Sequence, residues 1–165
     1  MPTKPHNPVI EFIDVQTLRH IEGFSRPRVA WLAKKIQAEQ LWTKPVVLDR
    51  THHLVMDGQH RMEVAKLLGL SVIPAILYDY ANVEVWSLRP EHYTVSWQEI
   101  IARALRGDIY PYKTAKHRFP CAELPVLGIS LPELMARRSR RRNSPIRFPQ
   151  TARSSSIARR TLKCA

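Results

Sequence analysis

Residues 54–69, LVMDGQHRMEVAKLLG, join a hydrophobic strand to a helix through a short polar turn. Asp57 ends the strand, Gly58 permits a tight turn, and His60 and Arg61 fall in the first turn of the helix. The free N–H groups and the dipole at a helix start favour an anion, and an arginine fork matches phosphate oxygens. We therefore interpret the turn as a phosphate site at which Asp57 holds Mg²⁺. The alternative is a capped helix whose Asp57 and Arg61 pair on the surface.

Hydrophobic periodicity on either side of this turn predicts a single α+β domain, over residues 1–136, with a mixed sheet and three or four helices. Strands are expected at 9–15, 45–49, 53–57, 72–80 and 83–86, with 45–49 and 53–57 forming a hairpin. Helices are expected at about 26–40, 58–68, 96–106 and 131–137. The stretch from Gly107 to Pro120 has no clear periodicity and is predicted to be irregular.

The positive charge of the chain is concentrated at its C-terminal end. The 165 residues carry 26 Lys and Arg against 14 Asp and Glu, but residues 137–165 hold ten of the basic residues and no acidic one. This Arg-, Ser- and Pro-rich tail has no apolar periodicity, and we predict that it is disordered. We favour a passive extension, and the alternative is nucleic-acid binding through phosphate contacts.

The remaining composition favours a cytoplasmic protein with reduced thiols. Cys121 and Cys164 match no metal-ligand or redox spacing. No apolar run approaches the roughly 20 residues that a membrane-spanning helix requires, so no membrane partner is expected. The first residues, MPTKPHNPVIEF, show no apolar signal core, which argues against secretion.

Two further stretches carry polar residues suited to a ligand. Residues 107–120, GDIYPYKTAKHRFP, crowd cations around one hydroxyl, that of Thr114, between stiffening prolines. They suit a carboxylate or phosphate, and a solvated basic loop is an equally good interpretation. Residues 18–28, LRHIEGFSRPR, contain Glu22 in a strand-to-helix connection. A carboxylate in such a connection is ordinarily only solvated.

Taken together, these stretches make the chain similar to the free L-serine kinases of the ParB/sulfiredoxin superfamily, which phosphorylate the amino acid using ADP or ATP. DGQHR resembles their phosphate box, DGHHR or DGVHR. Residues 95–120, VSWQEIIARALRGDIYPYKTAKHRFP, resemble their distal motif, T-x-E-E-V…L-x-x-G-x-x-x-P-K-T-T-R-H-x-x-P. The resemblance covers roughly residues 9–120 and implies Mg²⁺-dependent phosphoryl transfer from ADP or ATP to the hydroxyl of an amino acid, giving O-phosphoserine if the acceptor is L-serine.

The resemblance also implies roles for individual residues. Glu22 takes the place of the catalytic glutamate. Nucleotide and Mg²⁺ contacts fall on Asp57, Gly58, Gln59, His60 and Arg61, to which the hydroxyl of Thr114 is added. Serine contacts fall on Trp86, Lys113, Lys116 and His117. Two departures, Ala115 in place of Thr and Lys116 in place of Arg, are expected to change how the acceptor is recognised.

Three other functions share parts of these motifs. A ParB-type nucleotide switch acting on DNA needs an arginine-rich box and a following helix-turn-helix, whereas this box has one arginine. Sulfiredoxin chemistry needs a cysteine in the box, and Gln59 and His60 occupy that region. A nucleotide-binding regulator without kinase activity remains the alternative, because binding and catalysis use the same box.

Overall fold

The computed structural model describes residues 8–121 and 123–138. Within them, eight strands and four α-helices follow the order β1 (Glu11–Asp14), α1 (Arg26–Glu39), β2 (Leu41–Trp42), β3 (Val46–Asp49), β4 (Val55–Asp57), α2 (Gln59–Leu67), β5 (Val72–Tyr78), β6 (Glu84–Ser87), α3 (Trp97–Arg106), β7 (Ala115–Arg118), β8 (Ile129–Ser130) and α4 (Leu131–Ala136). Two 3₁₀ turns lie at Val15–Thr17 and Tyr80–Asn82. The predicted α+β class is confirmed.

The main sheet has the strand order β1-β5-β3-β4. Strands β3 and β5 pair in parallel, whereas β1 with β5 and β3 with β4 pair antiparallel, so the sheet is mixed as predicted. The predicted hairpin is the β3–β4 pair, with a register shift between Val47 and Leu48. All of β3 and the first six residues of β5 are buried, which explains their unbroken apolar sequence.

Helices α1 and α2 pack against each other and against this sheet. Helix α1 begins where the Ser25 hydroxyl accepts from the N–H of Arg28 at 3.4 Å, and it buries Val29, Ala33 and Ile36. Helix α2 buries Met62, Val64 and Ala65 in the same core. This packing holds the turn between β4 and α2 in place.

A second hydrophobic core forms from residues of several loops, of β4 and of α3. Its fully or nearly buried members are Ile21, Leu54, Met56, Tyr80, Val83, Ile100, Ala104 and Tyr110. In this region the segment of Glu22 pairs in parallel with the segment of Tyr110. The N–H of Gly23 donates to the carbonyl of Tyr110 at 2.8 Å, and the N–H of Tyr110 donates to Ile21 at 3.0 Å. Two sequence-distant loops are thus joined.

The prediction of an irregular chain from Gly107 to Pro120 is wrong for its last part. Residues 115–118 form β7, which pairs antiparallel with β6 in the register Val85 to His117 and Trp86 to Lys116. In this strand only His117 is buried, so it offers no alternation of apolar residues to detect. The β2–β8 pair was not predicted either, because each of these strands has only two residues.

The predicted tail, 137–165, lies outside the described residues except for its first two. The guanidinium of Arg137 lies 3.8 Å from the ring centroid of Phe12 and pairs with Glu133 at 3.0 Å. This first residue of the predicted tail therefore contacts the domain. Among the described residues, no helix is long and apolar enough to cross a membrane.

Candidate functional site

The turn between β4 and α2 requires a glycine. Gly58 has φ +105°, and a Cβ there would lie 2.7 Å from Cγ1 of Val46 and 2.9 Å from Nη2 of Arg61. As the N-cap of α2 it supplies no side-chain partner, so the first N–H groups of the helix have no side-chain cap. This is the geometry expected of an anion site.

Arg61 stands beside this turn with donors partly unused. Its Nη2 donates to Oδ2 of Asp57 at 3.1 Å, which is the pairing that the alternative interpretation anticipated. Its Nε, however, is buried and has no partner among the residues that the structure describes. A buried charged donor without an acceptor is costly, so the guanidinium is suited to a ligand oxygen in addition to Asp57.

His60 is held as a neutral donor. Its Nε2 accepts from the N–H of Ser25 at 3.1 Å. Burial, followed by the charges of Arg28 and Arg61, lowers the pKa of His60 below its usual value. The neutral ring therefore carries its proton on Nδ1. The phosphate turn thus gains a hydrogen-bond donor without a further charge.

The side chain of Gln59 serves the protein and not a ligand. Its Nε2 donates to the carbonyl of Val55 at 2.8 Å, and its Oε1 is hydrogen-bonded to Nδ1 of His20. The other ring nitrogen of His20 contacts Glu63 at 2.7 Å. The amide group of Gln59 is thus already hydrogen-bonded within the protein, and its contact with a nucleotide stays a prediction.

The Glu22 carboxylate is fixed by the loop that precedes β7. One oxygen, Oε2, accepts from the N–H groups of Thr114 and Ala115, each at 2.9 Å. Lys113 has φ +58°, the left-handed region, and so turns the chain just before these two donors. Its second oxygen, Oε1, accepts no hydrogen bond within the described part of the chain, and Glu22 lines the main cleft.

This cleft has a volume of about 680 Å³. Among its lining residues are eight that the sequence singled out, namely Glu22, Asp57, Gly58, Gln59, His60, Lys113, Lys116 and His117. Residues 22, 57 and 113 are far apart in sequence, and the fold brings them to one cavity. The cleft is also lined by Arg28 and Tyr112, which the sequence analysis missed.

A detectable signal did exist for Arg28. It lies in the first turn of α1, where a cation is disfavoured by the helix dipole. A basic residue at such a position often has an anionic partner, and here it faces the cavity that contains the phosphate turn. Tyr112 gave no such signal, because its role depends on the tertiary placement of the loop.

His117 lines the cleft, but it is neutral. The prediction that it is one of the cations of residues 107–120 is therefore corrected. Burial lowers its pKa to about 4, and its Nε2 lies 2.7 Å from the hydroxyl of Tyr80. The ring is therefore neutral at physiological pH. Lys113, Lys116 and Arg28 remain as the cations of this cavity.

Two residues predicted to contact a ligand, Thr114 and Trp86, lie outside the main cleft. The Thr114 side chain is fully buried, and its hydroxyl donates to the carbonyl of Pro111 at 2.7 Å. Its hydroxyl therefore stabilises the loop, and its backbone N–H binds Glu22. Trp86 lies on the exposed face of the β6–β7 pair, with the guanidinium of Arg118 5.6 Å from its ring centroid. Neither residue is among those lining the main cleft.

A second cavity of about 320 Å³ adjoins the first. Trp31, Trp42, Lys35 and Lys44 are among its lining residues, together with Arg61. The two cavities share four residues, which are Arg28, Asp57, Gly58 and His60. The phosphate turn therefore stands at the junction of two cavities, and Glu22 lines only the first of them.

The single carboxylate at this junction suits a magnesium ion that is bound together with the phosphates of a nucleotide. No cluster of three or more His, Cys, Asp or Glu side chains suited to a metal occurs in the described ranges. Mg²⁺ is commonly bound by one or two carboxylates together with substrate phosphates and water. Asp57, whose side chain is about half exposed at 47%, is the carboxylate at the phosphate turn.

Comparison with known proteins agrees with this description. No family model matches the chain. The chain is 34% identical over 89 residues to the ATP-dependent L-serine kinase of Staphylothermus marinus and 33% identical over 89 residues to that of Desulfurococcus mucosus. Each alignment covers 52% of this chain, and the chain spans about a third, 34%, of the length of these curated relatives.

Solved structures share the fold over most of the chain. A free serine kinase in complex with AMP has a TM-score of 0.65 at 14% identity, covering 80% of this chain and 98% of the other. SbnI from Staphylococcus aureus, with a C-terminal truncation, has a TM-score of 0.68 at 14% identity, covering 77% and 89%. The predicted α+β fold is therefore one that this chain shares with these solved structures. Within that fold, the predicted similarity to the free L-serine kinases is confirmed as well.

Proposed function

We propose that this protein transfers the terminal phosphoryl group of ATP or ADP to the hydroxyl of free L-serine, giving O-phosphoserine. The observation that carries the proposal is the junction of two cavities at the Asp57–Arg61 turn, with a fixed carboxylate in only one of them. A donor and an acceptor can thereby meet at the phosphate turn from opposite sides. The sequence similarity to L-serine kinases and the shared fold support the choice of reaction.

The donor nucleotide belongs at the phosphate turn and in the second cavity. Unpaired N–H groups of α2, the Nδ1–H of His60 and the buried Nε of Arg61 supply donors for phosphate oxygens. Trp31, whose side chain is exposed, gives the second cavity aromatic surface suited to a nucleoside. Asp57 would hold Mg²⁺, which supplies charge neutralisation at the phosphates when bound.

The acceptor belongs in the main cleft beside Glu22. Phosphoryl transfer depends mainly on positioning and on neutralising charge, and Arg28, Lys113 and Lys116 place three cations there. The serine hydroxyl oxygen forms a bond to the terminal phosphorus while the bond from that phosphorus to the nucleotide breaks. Oε1 of Glu22 accepts the hydroxyl proton, while Oε2 stays bound to two backbone N–H groups.

A ³¹P NMR experiment tests this function directly. The purified chain is incubated with Mg²⁺, with ATP or ADP, and with L-serine, L-threonine or L-homoserine. We expect a phosphomonoester signal of O-phosphoserine that depends on both the nucleotide and L-serine. Nucleotide hydrolysis to inorganic phosphate without a phosphomonoester would contradict the proposal, as would an unchanged spectrum with every acceptor.

A further inference from the structure

Tyr80 is a buried residue that the proposed reaction does not yet use. It lies in the 3₁₀ turn before β6, has 3% of its surface exposed, and belongs to the second core. Its hydroxyl oxygen is 2.7 Å from Nε2 of His117, which lines the main cleft. The buried phenol of Tyr80 is thus hydrogen-bonded to an imidazole ring that lines the main cleft.

The direction of this hydrogen bond follows from burial. Burial raises the pKa of the Tyr80 phenol, so the hydroxyl keeps its proton, and burial lowers the pKa of His117 to about 4, so the ring is neutral. A buried hydroxyl proton without an acceptor is costly. Among the described residues, the hydrogen-bond partner of this hydroxyl is Nε2 of His117. Tyr80 therefore donates, Nε2 accepts, and the imidazole proton resides on Nδ1.

The ring is also fixed in its plane. His117 lies parallel to Phe119, with ring centroids 6.0 Å apart and an interplanar angle of 2°. Strand pairing opposite Val85 sets the backbone position of His117. Because Nε2 is occupied by Tyr80, the polar edge that remains for a ligand in the cleft is the Nδ1–H edge.

We propose that Tyr80 is a positioning residue that holds His117 in its Nδ1–H tautomer, so that the ring donates a hydrogen bond to an anionic oxygen of the bound acceptor. The role of the oxygen as part of an acceptor rests on the proposed kinase function, whereas the tautomer does not.

The tautomer is tested by ¹⁵N NMR of the imidazole nitrogens in the full chain without ligand. The chain has seven histidines, and the spectrum of His117→Gln assigns the signal of residue 117. We expect a protonated Nδ1 and an unprotonated Nε2 in the wild type, and loss of this single form in Tyr80→Phe. An Nε2–H tautomer in the wild type, or an unchanged ring spectrum in Tyr80→Phe, would overturn the proposal.

Tyr110→Phe is the matched control. Tyr110 is also buried in the second core, but its hydroxyl donates to the carbonyl of Thr94 at 3.2 Å, and it lines a different cavity. Removing this hydroxyl deletes one buried hydrogen bond without touching His117. We expect the His117 tautomer to be retained in Tyr110→Phe, which separates positioning from a general loss of stability.

Kinetics then test the contact with the acceptor. Loss of one well-oriented hydrogen bond in Tyr80→Phe is expected to change a steady-state constant for L-serine by about tenfold. A rise in KM for L-serine is expected, because the oxygen belongs to the bound acceptor, and a fall in kcat with an unchanged KM would contradict that contact. In a His117→Ala background, Tyr80→Phe should have no further effect, because Tyr80 acts only through that ring. Full additivity of the two substitutions would overturn the proposal even if the chain proves to be a kinase.

Discussion

The neutral state of His117 makes the stability of the protein depend on pH. An unfolded histidine takes up a proton near its ordinary pKa of 6.5, whereas folded His117 does so only near a pKa of about 4. The contribution of neutral His117 to the free energy of unfolding is therefore complete above pH 6.5 and is lost as the pH falls from there towards 4. Over the interval from pH 7 to pH 5, the two pKa values correspond to a loss of about 2 kcal/mol from the free energy of unfolding.

The assay is urea denaturation at pH 7 and at pH 5, monitored by tryptophan fluorescence. His117→Gln serves as the control, because it removes this titration and leaves every other titrating group in place. We expect the wild type to lose about 2 kcal/mol more than the variant between the two pH values. Equal losses in the two proteins would contradict a neutral His117, since they would mean that this residue titrates alike in the folded and unfolded chains.

Three other changes have definite expected outcomes. Gly58→Ala should destabilise the protein by about 2 kcal/mol or more in denaturant titrations, because of φ +105° and the contact with Val46; Gly128→Ala, with open space at its Cβ, should be nearly neutral, and equal effects would contradict this. Asp57→Asn should weaken Mg²⁺-dependent nucleotide binding about tenfold by calorimetry without changing the fold. An unchanged affinity would contradict the assignment of a phosphate site to this turn. Truncation after Arg138 should leave the melting temperature within a few degrees, and a larger fall would show that the predicted tail stabilises the domain.

Local patterns were sufficient to predict most of the fold. The unbroken apolar run of β5, the capped periodic pattern of α1 and the strand-glycine-helix signal at Gly58 each reflect one element and its burial. Strand β7 was not predicted because its pairing partner lies about 30 residues earlier and its one buried residue is a histidine. Sequence periodicity does not record such a long-range pairing.

The candidate site was predictable in its residue types but not in its contacts. The sequence indicated Glu22, Lys113 and His117, and the structure places all three at one cavity. It gave no indication that the Gln59 amide would be used by Val55 and His20, or that Tyr80 would stand behind His117. Those contacts arise only when separate elements pack together, because each joins residues from different parts of the fold.

In the proposed reaction, Glu22 accepts the proton of the acceptor hydroxyl while the turn at Asp57 holds the donor. Glu22→Gln keeps an oxygen that can accept from the N–H groups of Thr114 and Ala115 but removes the proton acceptor. Glu84→Gln is the control, because Glu84 is an exposed carboxylate of β6 paired with Arg118.

The decisive measurement is the rate of O-phosphoserine formation in these variants, together with their calorimetric affinity for nucleotide. We predict that Glu22→Gln lowers the rate by about a hundredfold or more, that its nucleotide affinity stays within about twofold of the wild type, and that Glu84→Gln is unchanged in both. A Glu22→Gln protein that forms O-phosphoserine at the wild-type rate would contradict the role of Glu22 as the proton acceptor.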